Sequence, residues 1–95
     1  MKPYLKLIFR LHELARMAER NFRPDQIRIG IHAALTVEEY LQDQPYPSCL
    51  LLLWIGRRPV HVVAANNDDD GETIIVTVYE PSTDKWYDGY IRRRL

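Results

Sequence analysis

The sequence predicts an α+β domain: two N-terminal helices packed on an antiparallel sheet of about four strands, then a short C-terminal helix. Three observations lead there. Apolar residues recur at helical spacing over the first third of the chain, and strand-length runs take over after Leu35. The links between those runs are short and rich in Gly, Pro, Asn and Asp.

The first helix is read from Leu5–Arg20, where Leu7, Ile8, Leu11, Leu14, Ala15 and Ala18 form a stripe. Tyr4–Phe9 also reads as a short strand leading into a helix near Arg10. Asn21 tolerates the left-handed conformation that ends a helix. Pro24 suits a first helical position, and Asp25 complements the positive end of the helix dipole. Ile27, Ile31, Ala34 and Leu35 give the second, short helix its stripe.

Thr36–Leu41 alternates as a strand. Gln42–Ser48 holds Pro45 and Pro47 and reads as a loop. Cys49–Ile55 is an apolar run of strand length. Gly56-Arg57 fits a two-residue hairpin turn, with Pro59 opening the return strand Val60–Ala65. Asn66–Gly71 is a polar turn. Thr73–Tyr79, rich in Thr, Ile and Val, is the clearest strand, and Pro81 stops it. Ser82–Tyr90 fits a short helix, and Ile91–Leu95 a frayed basic tail.

Ninety-five residues make one domain, residues 1–95. The longest apolar run, Cys49–Ile55, is too short to cross a bilayer, and Met1–Arg10 lacks a signal-peptide cleavage pattern. One cysteine excludes an internal disulfide, so a cytoplasmic location is expected. The net charge of zero hides an asymmetry: residues 1–35 carry +4, residues 36–80 carry −6 and residues 81–95 carry +2. Local basic faces can bind phosphate on a neutral molecule, because fields are screened within about 10 Å.

No metal or cofactor is expected. His12, His32, His61 and Cys49 lack ligand spacing, and the four glycines are too scattered for a phosphate loop. Cys49 reads as a small core residue; as a nucleophile it would need His61 beside it.

The informative pattern is His12, Arg16 and Arg20 at i, i+4 and i+8, within a sector about 80° wide on one helix edge. A histidine that titrates near neutrality beside two planar cations suits phosphate chemistry. RNA, whose 2′-hydroxyl is a built-in nucleophile, is the natural substrate. The competing reading is a wet helix edge in which Arg16 and Arg20 balance Glu38 and Glu39. His61 shares a strand face with Val63 and Ala65. It is an acid–base candidate if that face is open and a core histidine if it is covered. Tyr79 and Thr77 share a face of the last strand; Trp86 and Tyr87 pin the final helix.

The run His12-Glu13-Leu14-Ala15-Arg16-Met17-Ala18-Glu19-Arg20 resembles the "HALERMxER" opening of domain-of-unknown-function family 4258. Pro45–Cys49, Arg58–Val63 and Gly71–Pro81 continue the likeness over roughly residues 8–90. The stretch Phe22-Arg23-Pro24-Asp25 departs from it, standing where a Gly-Ile-Ser/Thr type of helix start is expected. That family is similar to the RelE-like toxins of the barnase–colicin-like endoribonuclease fold. The resemblance implies a ribonuclease toxin neutralised by an antitoxin, often of the YgiT zinc-finger type. The matched polar positions are His12, Arg16, Arg20, His61, Thr77 and Tyr79.

Two functions are therefore expected to compete. In the first, a metal-independent endoribonuclease, His12 is the general acid or base and Arg16 and Arg20 hold the phosphate. His61 or Tyr79 supplies the second proton-transfer group, Thr77 helps bind substrate, and Arg92, Arg93 and Arg94 gather the RNA backbone. In the second, a non-catalytic interaction module or homodimer, Cys49–Ile55 and the aromatics Tyr40, Tyr46 and Trp54 form a partner surface. The neutral charge mildly favours the second.

Overall fold

A computed structural model describes Tyr4 and residues 6–95. In chain order the elements are β1 (Lys6–Phe9), α1 (Leu11–Glu19), α2 (Pro24–Gly30), a 3-10 turn (Ile31–Ala33), β2 (Leu35–Tyr40), β3 (Ser48–Ile55), β4 (Arg58–Asn67) and β5 (Glu72–Tyr79). The strands form one five-stranded sheet in the order β1-β5-β4-β3-β2. Strands β2 to β5 make the expected antiparallel meander, whereas β1 joins parallel to β5, with Lys6 opposite Glu72 and Phe9 opposite Ile75.

The sheet thus has five strands rather than about four, and it is mixed rather than wholly antiparallel. The reason lies in Lys6–Phe9. Four residues are too few for periodicity to separate a strand from a helix start, and what decides is the open flank of β5 that they can pair with. Leu5, where the sequence stripe begins, lies outside the described residues.

Helix α1 also turns a different side inward. It buries Glu13 and Met17, while Leu11 is 85% exposed and Ala15 and Ala18 face out. Asn21, at φ 62°, ends the helix as its side chain allows, and the Phe22 amide donates to the Met17 carbonyl at 2.8 Å. Pro24 opens α2, which buries Ile27; Ile31 and Ala34 follow it inward, but Leu35 stays exposed.

Gly56 and Arg57 link β3 to β4 with Ile55 opposite Arg58. Gly56, first of the two, sits at φ 61°, the arrangement that matches a hairpin's twist. Alternation then divides the sheet. Cys49, Leu51 and Leu53 of β3 and Val60, Val62 and Ala64 of β4 pack with Met17, Phe22, Ile27 and Ile31 in one apolar core under the helices. Cys49 has no exposure and is a core residue, its burial pushes the thiol up to about 11, and His61 points to the other side of the sheet.

The C-terminal helix does not form. Residues 81–95 run as turns closed by a bridge between Trp86 and Arg93. Gly89 at φ 87° and Tyr90 at φ 60° break any helical path. Nor is the end frayed: Trp86 is buried, the Arg94 amide donates to the Lys85 carbonyl at 2.8 Å, and Arg94 Nε donates to the Thr83 carbonyl at 2.7 Å. This segment packs on the face of the sheet away from the helices, through Trp86 and Tyr90 against His61.

Candidate functional site

His61 sits on the helix-free face at 0% exposure. Its Nε2 lies 2.8 Å from the Tyr90 carbonyl, which can only accept, so Nε2 carries the proton. Its Nδ1 is then free to accept from the Tyr79 hydroxyl at 3.3 Å, the two residues being paired across β4 and β5. The ring stands edge-on to Trp86, with centroids 4.5 Å apart, and to Tyr79 at 5.4 Å. Burial holds the His61 imidazole below its ordinary value, and the Tyr90 hydrogen bond and Glu38 only partly oppose this. The ring is therefore neutral at neutral pH. Burial raises the half-buried Tyr79 phenol, which keeps its proton.

Glu38 and Tyr40, two residues apart on β2, form a second group. The Tyr40 hydroxyl donates to Glu38, and Arg93 grips the same carboxylate through Nε at 2.9 Å and Nη2 at 3.1 Å. The Arg93 guanidinium also lies 4.6 Å from the centroid of Trp86. Hydrogen bonds from Arg93 and then Tyr40 hold the Glu38 carboxyl below its usual range, and the same contact raises Arg93 further. Trp86 links the two groups, since His61 and Arg93 both pack against its ring.

The flank of β5 forms the third part. Beyond Ile75, β1 no longer pairs with it, and the buried backbone of Val78 needs other partners. Helix α1 provides them: Glu13 Oε2 accepts from the Val78 amide at 3.0 Å, and Arg20 Nη1 donates to the Val78 carbonyl at 2.8 Å. Glu13 Oε1 is buried with no partner. Arg58 fastens the end of α1: its guanidinium donates to the Asn21 and Arg20 carbonyls and to Glu80, and it lies 3.9 Å from the centroid of the Phe22 ring. Between them Arg20, Phe22, Arg58, Tyr79 and Glu80 line a groove of about 420 Å³.

Residues 9–80 match a domain of unknown function, DUF4258. The chain belongs to that family. Comparisons with curated proteins and with solved structures find no match. The DUF4258 region contains His61, Tyr79, Glu38, Glu13, Arg20 and Arg58, whereas Trp86, Tyr90 and Arg93, which close over His61, lie beyond it.

Among the residues singled out by sequence, the fold brings together His61, Tyr79 and Arg93 on the helix-free face and joins Arg20 to Tyr79 in the groove. Thr77, opposite Val63, is the next residue of β5 on that face. His12 and Arg16 stand apart, exposed on α1, with no side-chain hydrogen bond or ion pair to another described residue. Arg92 and Arg94 both lie 4.4 Å from the Tyr87 ring centroid, on the surface of the C-terminal segment.

Sequence reasoning missed Glu38 with Tyr40, and Glu13 with Arg58. The first pair carried a signal, since polar residues at i and i+2 of a strand share a face. The second did not, because Glu13 and Arg58 act on backbone groups distant in sequence. Among the described residues, no group of three or more His, Cys, Asp or Glu can hold a metal ion, and no helix is long and apolar enough to cross a membrane.

Proposed function

We propose that this DUF4258 protein is a metal-independent endoribonuclease of the toxin type, working through Tyr79, His61 and Arg20. One observation carries the reading: Tyr79 lines the groove that Arg20 shares, and its hydroxyl is backed at 3.3 Å by a buried neutral imidazole. Tyr79 takes the proton of the attacking 2′-hydroxyl while passing its own to His61 Nδ1. The 2′ oxygen bonds to phosphorus, the bond to the 5′ oxygen breaks, and that oxygen leaves with a proton from water. A 2′,3′-cyclic phosphate remains. The Tyr90 carbonyl that accepts from Nε2 favours the transient imidazolium, and the Glu38 carboxylate adds to it against the opposing charge of Arg93. Arg20, with Nη1 anchored on Val78, turns its other nitrogens to the charge that builds on the phosphate.

The role that spacing alone gives to His12 passes to His61 in this scheme. Arg16, Arg92 and Arg94 become exposed cations along the RNA backbone with His12 a polar neighbour, so binding weakens steeply with salt. A cognate antitoxin of the YgiT zinc-finger type is the partner that the family resemblance supports.

Tyr79→Phe removes the relayed proton and keeps the ring. It should lower cleavage of an RNA oligonucleotide about 100-fold or more, with cleavage by the parent chain unchanged by EDTA. Full activity in Tyr79→Phe sinks the relay.

One observation favours the interaction-module reading. Among the described residues the outer edge of β2 has no neighbour in the sheet order, and Leu35 at 55% and Leu41 at 61% exposure lie in that strand and just after it. A partner strand or a second copy can add there. A chain that is inert toward RNA and dimeric by light scattering fits that reading instead.

A further inference from the structure

We propose that a cleft on the helix-free face, walled by the loop between β2 and β3, is a subsite for one unpaired nucleobase. The cleft measures about 230 Å³. Its floor is aliphatic: Val63 and Ala65 from β4, Ile74 and Val76 from β5. A bulge creates the last of these. Val63 pairs with Thr77 and Ala64 with Ile75, which leaves Val76 as the extra residue, 46% exposed despite its apolar side chain.

The wall is aromatic and held in place. Asn67 Nδ2 donates to the Tyr46 hydroxyl at 3.1 Å, and Asn67 is itself buried and bonded to Asp70 at 2.9 Å. The rim is polar. Asp43 Oδ2 accepts from the buried Ser48 hydroxyl at 2.6 Å, which orients the carboxylate and leaves Oδ1 for a ligand. Gln44 adds an amide, and Arg10, at the junction of β1 and α1, adds a cation.

An apolar floor beside an aromatic wall suits the face of a planar ring. An acceptor and a cation on the rim suit its amino group and its phosphate. Position supports the same occupant. The pairs Val63–Thr77 and His61–Tyr79 are two residues apart on the same strands. That is a spacing of about 7 Å, within reach of one nucleotide. The Asp43 carboxylate favours adenine, cytosine and guanine, which present amino groups, over uracil, which presents carbonyl oxygens on either side of its single N–H. The choice of a nucleobase rests on the RNA reading above.

The test is an NMR titration of the isotope-labelled full chain with AMP, CMP, GMP and UMP, with inorganic phosphate as a separate arm. The expected result is saturable shifts at the amides of Val63, Ala65 and Val76, with UMP about tenfold weaker than the others. Ala65→Leu fills the floor and should abolish the shifts. Asp43→Asn should bring UMP level with the rest. Asp43 is exposed, so this variant should keep the fold and test the subsite even if Ala65→Leu does not fold. No saturable shift from any nucleotide, the same shifts from phosphate alone, a folded Ala65→Leu that still binds, or an unchanged UMP ranking in Asp43→Asn overturns the proposal. The readout is binding, so a chain that binds nucleotides without cutting RNA defeats the nuclease reading and leaves the subsite standing.

Discussion

The two faces of the sheet are built from the same strands and do opposite things. Under the helices, Leu51, Leu53, Val60, Val62 and Val78 meet Met17 and Ile27 in a closed apolar layer. On the other side, the alternate residues His61 and Tyr79 meet Trp86, Tyr90 and Arg93, and the adjoining cleft over Val63 and Ala65 stays open. Helices cover a face with side chains at regular spacing, so that face needs only shape and hydrophobicity. A segment of turns covers a face with a few anchors, so that face must provide partners for individual polar groups. The lesson is that the closed apolar layer lies on one side of β4 and the candidate site on the other.

The largest effect expected from this contrast is in the core. Met17→Ala, at a site with no exposure, should cost about 2–5 kcal/mol in urea denaturation, more than truncation of the partly exposed Thr77 or Tyr79 on the helix-free face. Next is the flank of β5. Glu13→Ala strands the Val78 amide and should cost about 1–3 kcal/mol. Glu13→Gln should cost less, because its amide oxygen can still accept from that amide. A Glu13→Ala chain as stable as the parent would remove the edge-covering role from α1.

The third test uses pH. The folded His61 value lies below the unfolded one, so the unfolded chain takes up a proton first as pH falls. Stability is full above about pH 6.5 and declines below it until the folded value is reached. His61→Gln should flatten that decline in pH-dependent thermal melts. A slope unchanged by the substitution would mean that another group titrates there.

The smallest effect belongs to the partly exposed Glu38–Arg93 pair. Arg93→Ala should change stability by less than about 1 kcal/mol. Glu38 has a lowered value, so its contribution is present above the ordinary carboxylate range and is lost as pH falls through the folded value. A much larger loss at neutral pH would show that the pair, rather than Trp86, fastens the C-terminal segment.

Much of this architecture could be read locally. Asn21, Pro24, Gly56 and Pro81 mark where elements stop and start because each restricts or frees its own backbone. Thr73–Tyr79 reads as a strand from its Thr, Ile and Val content, and period two alone puts His61 on the side of the sheet opposite Val60 and Val62. That alternation also framed the right question about His61, whether its face was open or covered.

Tertiary structure supplied the answers that depend on distant partners. Lys6–Phe9 became a strand because β5 had a free flank to pair with, and Glu13 went inward because Val78 left a buried amide to satisfy. Residues 81–95 gave up a helix to place Trp86 on His61 and Arg93 on Glu38. A residue's own chemistry sets which partners it can take, but only the folded chain determines which of them come within reach. For that reason the imidazole that meets Tyr79 and the groove of Arg20 is His61, while His12 remains on the outer side of its helix.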